Sequence, residues 1–318
     1  MRFASEGRRR LRIVRYWIAN TDSTWLAFLR AEPPEEVNFW QPNAVRPVTL
    51  PLNAPWLFKR HNRDGGGIVG GAFFAHFSSI SPRFAWDAFG RKNGAADFDA
   101  FMSALRRYSE RPVDPFASSI GASILVQPFF FPLDLAIETP SDWSSNLTRG
   151  KTYDTEIGEG KRVWLEVQAR LKIVADGTPL GEVAEGYGSP VLVRPRLGQG
   201  AFRVMVTDAY ERRCVITGER TLPVLEAAHI KPYRLVGAHD VSNGLLLRSD
   251  LHTLFDRGYL TVRPDLKVAV SPRIREEFTN GRDYYALDGR QIRLPADSAA
   301  APDGAMLDWH STTVYLAP

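Results

Sequence analysis

Only one cysteine, Cys214, occurs among the 318 residues. That scarcity excludes an intramolecular disulfide and any zinc site built on several thiolates. Long apolar runs are absent as well: no window approaches the roughly eighteen uninterrupted apolar residues of a membrane span. The N-terminal RRRLR is followed by neither an apolar h-region nor a small-residue cleavage site, so it does not read as a secretory signal. No internal repeat is visible. A dominant charge of either sign is missing too, since 40 Lys+Arg against 36 Asp+Glu leave a formal +4. With 44% hydrophobic and 24% charged residues the composition excludes a disordered or fibrous chain. The expectation is a soluble cytoplasmic protein of two domains, each able to bury its own core. A sequence pI near 9.2 adds a mild lean toward polyanionic partners.

Up to about Val193 the sequence reads as short strands and two helices separated by Gly and Pro clusters. RIVRYWIA, APWLFKR, GGGIVGGAFFAHF, ASILVQPFFF and KRVWLEVQARLKIV read as strands. DSTWLAFLRA begins at a good N-cap, Asp22 or Ser23, and AADFDAFMSALRRYS spaces Phe98, Phe101, Met102 and Leu105 as one helical face. This mix predicts an α+β domain on a curved sheet or small barrel. GSPVLVRPRLGQG, residues 188–200, is Pro- and Gly-rich and reads as a linker. Beyond it AFRVMVTDAYERR reads as a helix, and MLDWHSTTVYL near the end reads as a final strand or strap.

Three of the six histidines fall within residues 225–262, in LEAAHIKPYRLVGAHDVSNGLLLRSDLHTLFDRGYLTV. Leu225 to Ile230 reads as a strand and Asn243-Gly244 as a turn before LLL. RSDLHTLFDRG reads as a short helix, capped by Ser249 or Asp250 and ended by Gly258 in the left-handed region. On such a helix His252 and Asp256, four apart, share a face and can meet one ion. His239 reads as a loop residue, and His61, His76 and His310 as ordinary core or surface histidines.

The order His229, Asn243, then His252 nine residues on, set in AAHI…NGLLLRSDLHTLFDRG, resembles the HNH endonucleases of the ββα-metal class, in the subgroup lacking cysteine pairs. The likeness is detailed from about Gly198 to Ser271 and includes CVITG, HIKPY and LHTLFD. It implies His229 as the general base that takes a proton from water. His252 would bind one divalent cation with Asp256 as a second ligand; Mg²⁺ or Mn²⁺, and Co²⁺ or Ni²⁺ as well, suit such a set, with no structural zinc. Asn243 would hydrogen-bond the loop backbone or reach the metal shell and so orient His229. Many members carry a ligand just before the strand histidine, where this chain has Ala228. Glu226 is the nearest substitute, but counting by two places it on the strand face opposite His229, which argues against it.

Between Arg194 and Arg293 there are 17 basic and 12 acidic residues. Among them Arg203, Arg248 and Arg257, with Arg194, Arg196, Arg212, Arg213 and Arg234, are candidates to neutralise DNA phosphates.

The first 190 residues are rich in Trp and Phe beside Asn and Lys, in EEVNFWQP, APWLFKRHNRDGGGIVGGAFF and AWDAFGRKNG. Strand, helix, VNFWQP and the FK…IVGGAFF pair weakly resemble PUA-like barrels, including EVE-type and SRA-type readers of modified bases. The resemblance implies a pocket for an extruded base with Asn38, Trp40, Trp56, Lys59 and Tyr153 as its candidates. The reading is therefore a PUA-like recognition domain over residues 1–190 and an HNH nuclease domain over 191–318. Together they would form a modification-dependent restriction endonuclease, a homodimer acting on double-stranded DNA. An HNH nuclease that reads ordinary sequence or DNA structure, and a non-cleaving DNA-binding protein with a degenerate HNH fold, stand as the alternatives.

Overall fold

The computed structural model describes residues 14–176, 197–232, 235 and 240–317. His239, Arg194, Arg196, Arg234 and most of the expected linker lie outside the described residues. The chain divides into two compact units, Met1–Ala85 with Gly90–Pro195, and Arg196–Pro318 with Trp86–Phe89.

The first unit is built on a mixed six-stranded sheet in the order β2-β5-β4-β3-β1-β6. Its strands are β1 (Arg15–Thr21), β2 (Glu36–Gln41), β3 (Pro55–Arg60), β4 (Ile68–Ile80), β5 (Ile120–Phe130) and β6 (Gly150–Asp154). β1 and β3 run parallel because α1 (Ser23–Ala31) and β2 carry the chain across between them. The Asp22 carboxylate caps α1 by accepting the Trp25 N–H at 2.9 Å, as its sequence position predicts.

Trp17 pairs with Trp56 and Ile18 with Leu57, so side-chain alternation sends the two pairs to opposite faces of the sheet. Trp17, Ala19, Trp56 and Phe58 pack with Trp25, Leu26 and Leu29 of α1. Tyr16, Ile18 and Leu57 pack instead with Val163 and Val167 of α4 (Gly158–Asp176). Both faces are thus buried, which explains the unbroken apolar run in β1. Register shifts in the long β4 mark bulges, which bend a strand and increase its twist. Among the described pairings β2 and β6 are edges, so the observed architecture is a large mixed sheet with helices; a PUA-like barrel is not established by it.

The stretch KRVWLEVQARLKIV, expected as a strand, is part of α4. Val163 and Val167 are buried four residues apart with Leu171 packed beside them, a helical stripe that its β-branched and aromatic content disguised. Two further helices follow in the chain, α2 (Pro82–Phe89) and α3 (Phe98–Tyr108), the latter burying Phe101, Met102 and Leu105.

The second unit contains α5 (Gln199–Ala209), β7 (Leu225–His229), β8 (Gly244–Arg248), α6 (Ser249–Asp256), β9 (Leu260–Val262), β10 (Val268–Val270), α7 (Arg273–Phe278), α8 (Arg282–Tyr285) and α9 (Gly304–Thr313). β7 and β8 form an antiparallel pair with His229 opposite Gly244. Asn243-Gly244 is not a tight turn: Val241–Asn243 is a 3₁₀ turn and Gly244 opens β8 in extended conformation at φ −124°. Glycine is needed there for proximity, since a Cβ would lie 2.5 Å from Val206 Cγ2 of α5. The helix after β8 starts at Ser249 with Arg248 as N-cap and no side-chain cap bond, so neither Ser249 nor Asp250 caps it. Its end follows the sequence expectation, with Gly258 at φ +78° and the Tyr259 N–H reaching the Leu254 carbonyl at 2.9 Å.

MLDWHSTTVYL, expected as a final strand or strap, lies mostly in α9, which Asp303 caps through the Ala305 and Met306 amides. This helix carries His310 into the core, 2% exposed and stacked on Phe255 at 3.6 Å between ring centroids. Its Nε2–H donates to the Phe255 carbonyl at 3.1 Å, which leaves Nδ1 to accept from the Thr261 hydroxyl at 2.8 Å. Burial pushes the imidazole pKa down to about 4 from an ordinary 6.5. Because the folded value is the depressed one, the stabilisation is complete above about pH 6.5 and is lost as pH falls toward 4. The difference corresponds to about 3 kcal/mol. Urea unfolding should show that much acid destabilisation between pH 7.5 and 4.5, and His310→Gln should remove most of the pH dependence in that window.

Candidate active site

The second unit gathers an imidazole between two carboxylates. Glu226 leaves β7 and its Oε2 lies 2.6 Å from His252 Nδ1 on α6. One helical turn beyond, Asp256 Oδ2 lies 3.4 Å from His252 Nε2. The four-residue spacing on α6 does place His252 and Asp256 together. The nearer carboxylate is nonetheless Glu226, which the strand count had argued against. Alternation says that Glu226 and His229 leave β7 on opposite faces, and it does not say which of the two the helix meets. Loss of water around the Asp256 carboxyl raises its pKa, His252 pulls it down, and Glu226 pushes it up.

Among the described residues no three His, Cys, Asp or Glu groups are spaced as a formed metal cage. In kind the donors fit a divalent cation, two hard carboxylates with one imidazole. Both ring nitrogens of His252 are engaged by carboxylates, so the ring would ligate an ion only by giving up one of those bonds.

His229, at the end of β7, lies flat on the Phe202 ring of α5, with centroids 3.9 Å apart and planes 9° from parallel. This stack fixes the plane of the imidazole ring. Immediately after it the chain is clamped by Asn243, which is fully buried. The Asn243 Oδ1 accepts the Lys231 N–H and its Nδ2 donates to the Lys231 carbonyl, both at 2.9 Å. The Ile230 N–H meets the Asn243 carbonyl at 2.9 Å. Of the two roles expected for Asn243, the loop bond to backbone is the one its amide makes. It positions the segment next to His229.

The arginines divide. Arg248 forms a bidentate pair with Asp250 at 2.6 and 2.7 Å, and each partner holds the other in its charged form. Arg203 donates to the Asp87 carbonyl at 3.0 Å. Arg257 is exposed where α6 ends.

In the first unit a cavity of about 920 Å³ opens beside β1, β2 and β3. Trp17, Trp25, Phe39, Trp40, Trp56 and Tyr108 supply its aromatic wall. Of the five residues expected at a base pocket, Trp40 and Trp56 line this cavity. The other three do not. Asn38 is buried and donates to Asn93 Oδ1 at 2.9 Å. Lys59 and Tyr153 belong to the opposite face of the sheet: Lys59 lies over the Trp143 ring at 4.9 Å, and Tyr153 packs with Tyr16 in the core under α4. The odd–even alternation of β3 separates Trp56 from Lys59, a signal available in the sequence once one face is assigned. Trp17, Phe39 and Asp22 were missed because nothing local marks them as lining a cavity.

Comparison with known proteins bears on the second unit. Residues 214–263 match the family model HNH_2, described as HNH endonuclease. No curated protein matches the chain. A solved structure titled "Modification dependent TagI restriction endonuclease" aligns over 89% of this chain and 76% of its own, at 15% identity and a TM-score of 0.27. Among the described residues no helix is long and apolar enough to cross a membrane. The family match covers β7, β8 and α6 and with them His229, Asn243 and the Glu226–His252–Asp256 cluster, and on that ground the chain carries an HNH endonuclease domain at residues 214–263.

Proposed function

We propose that this protein is a modification-dependent DNA endonuclease in which the second unit hydrolyses a phosphodiester bond and the first admits a modified base. The observation that carries the reading is the Glu226–His252–Asp256 cluster on the same strand–helix pair as the Phe202-stacked His229, inside the HNH match. His229 takes the proton from the attacking water, for which an imidazole edge held in one plane is suited. Asn243 keeps that edge in place by locking the backbone of Lys231. Glu226, His252 and Asp256 would hold a divalent cation, which when bound supplies positive charge against the growing negative charge on the phosphoryl oxygens. Arg257 and Arg203 offer charge for the phosphate backbone, and Arg248 is restrained by Asp250. Cutting both strands of a symmetric site is served most simply by a homodimer.

The aromatic cavity supports the reader half, because an extruded base stacks on such walls. One plasmid, prepared unmodified and with cytosine or adenine modifications, tests both halves when incubated with the full chain in Mg²⁺ or Mn²⁺. Only modified plasmid should be linearised. Equal cutting of all preparations would remove the modification dependence, and binding without cutting in either metal would remove the nuclease assignment.

A further inference from the structure

Two residues beyond His229 the chain holds a lysine under unusual constraint. Asn243 spends both groups of its buried amide on Lys231, whose N–H and carbonyl it meets at 2.9 Å each. Pro232 follows, and a residue before proline is confined to extended backbone. The Lys231 main chain is therefore fixed without any part played by its side chain. Two residues of chain span at most about 7 Å, so this anchor lies close to that of His229. Between them Ile230 is fully buried, whereas His229 and Lys231 stay half-buried. The Lys231 side chain has its own support: Nζ stands 5.3 Å from the centre of the Trp309 ring on α9. A ring face attracts an ammonium and still leaves it N–H groups for another acceptor. Among the described residues no carboxylate pairs with Lys231. Arg248 and Arg212, in contrast, are paired with Asp250 and Asp208.

Resting on the nuclease reading above, we propose that Lys231 is a catalytic residue whose ammonium binds a non-bridging oxygen of the scissile phosphate beside His229. In the reaction the water oxygen bonds to phosphorus while His229 takes its proton. The leaving sugar oxygen departs with the P–O bonding pair and is protonated from solvent. Negative charge builds on the non-bridging oxygens as the new bond forms, and a donor already in position stabilises it most at that moment. Lys231 transfers no proton in this role. Its fixed main chain and the Trp309 face place the ammonium before DNA arrives, so little ordering remains to be done on binding.

Single-turnover cleavage of supercoiled plasmid, in the modification state that the wild type cuts, tests this with the full chain at saturating enzyme in Mg²⁺ or Mn²⁺. Lys231→Met removes the charge and keeps an apolar stem, and the Asn243 clamp survives because it uses backbone atoms of residue 231 alone. Its cleavage rate should fall about 10²–10³-fold, the loss usual for one preorganised donor. Plasmid affinity in EDTA should stay within about threefold, since a single phosphate contact is a small share of the electrostatic binding, and the melting temperature should hold. Lys231→Arg restores the charge and should regain at least about tenfold of the lost rate. Three results would overturn the role of Lys231 and leave the nuclease reading standing on wild-type cleavage. They are a Lys231→Met rate within about fivefold of wild type, a loss that Lys231→Arg does not recover, and a loss matched by an equal fall in affinity or by a lower melting temperature. Wild-type protein that binds plasmid and cuts in neither metal would overturn both.

Discussion

His229→Ala is expected to lower the single-turnover rate of DNA cleavage by about 10²–10⁴-fold, the contribution usual for a positioned general base. The argument rests on place as well as chemistry. His229 ends β7 opposite Gly244, and its ring is pressed on Phe202 at 3.9 Å. It is only partly buried, so the change removes a stacking contact without opening the fully buried core around Leu245, Leu246 and Leu247. Thermal melting should therefore register a modest loss, and DNA binding should persist. Added imidazole should restore part of the rate, since the cavity left above Phe202 is the size of the missing ring. A variant that cuts within about tenfold of wild type would show that another group takes the proton.

Glu226→Gln should depress divalent-metal affinity by at least the 10–100-fold range seen when a metal site loses even an outer partner, with cleavage falling alongside. Gln keeps the length of the side chain and can still accept from His252, so local packing is preserved while one negative charge is lost. The comparison that gives the test its force is Asp256→Asn. Glu226 approaches His252 at 2.6 Å and Asp256 at 3.4 Å, which makes the strand carboxylate the tighter partner of the ring. Calorimetric titration with Mn²⁺ should rank the losses with Glu226→Gln the larger. The reverse ranking, or an unchanged affinity in Glu226→Gln, would sink Glu226 as a ligand.

These two residues also show how far local reading reaches. His229, Asn243 and His252 are singled out by the resemblance of their order and flanking residues to HNH endonucleases. The flanking strand, helix and glycine stop at Gly258 obey local rules of capping and backbone conformation. The same holds for Asp22 before α1 and for the buried face of α3. Local reading fails where period and composition disagree, as in α4, whose Val and Trp content suggested a strand while Val163 and Val167 kept a helical interval. It fails again at Asn243-Gly244, where the pair looked like a turn. There Asn243 is a buried clamp and Gly244 a strand residue kept small by Val206.

What the sequence determined by itself is the chemistry on offer: a general-base candidate, a helix with His252 and Asp256 on one face, and no thiolate metal site. The first comes from the resemblance to HNH endonucleases, the second from the four-residue spacing on one helix, and the third from the single cysteine. The tertiary structure alone decided which carboxylate meets His252 most closely, which face of the sheet holds Trp56 and which holds Lys59 and Tyr153, and that Asp22 shares a cavity with five tryptophan and phenylalanine rings. Strand alternation divides residues into two sets without naming the set that faces the partner element. That assignment belongs to packing between segments far apart in the chain.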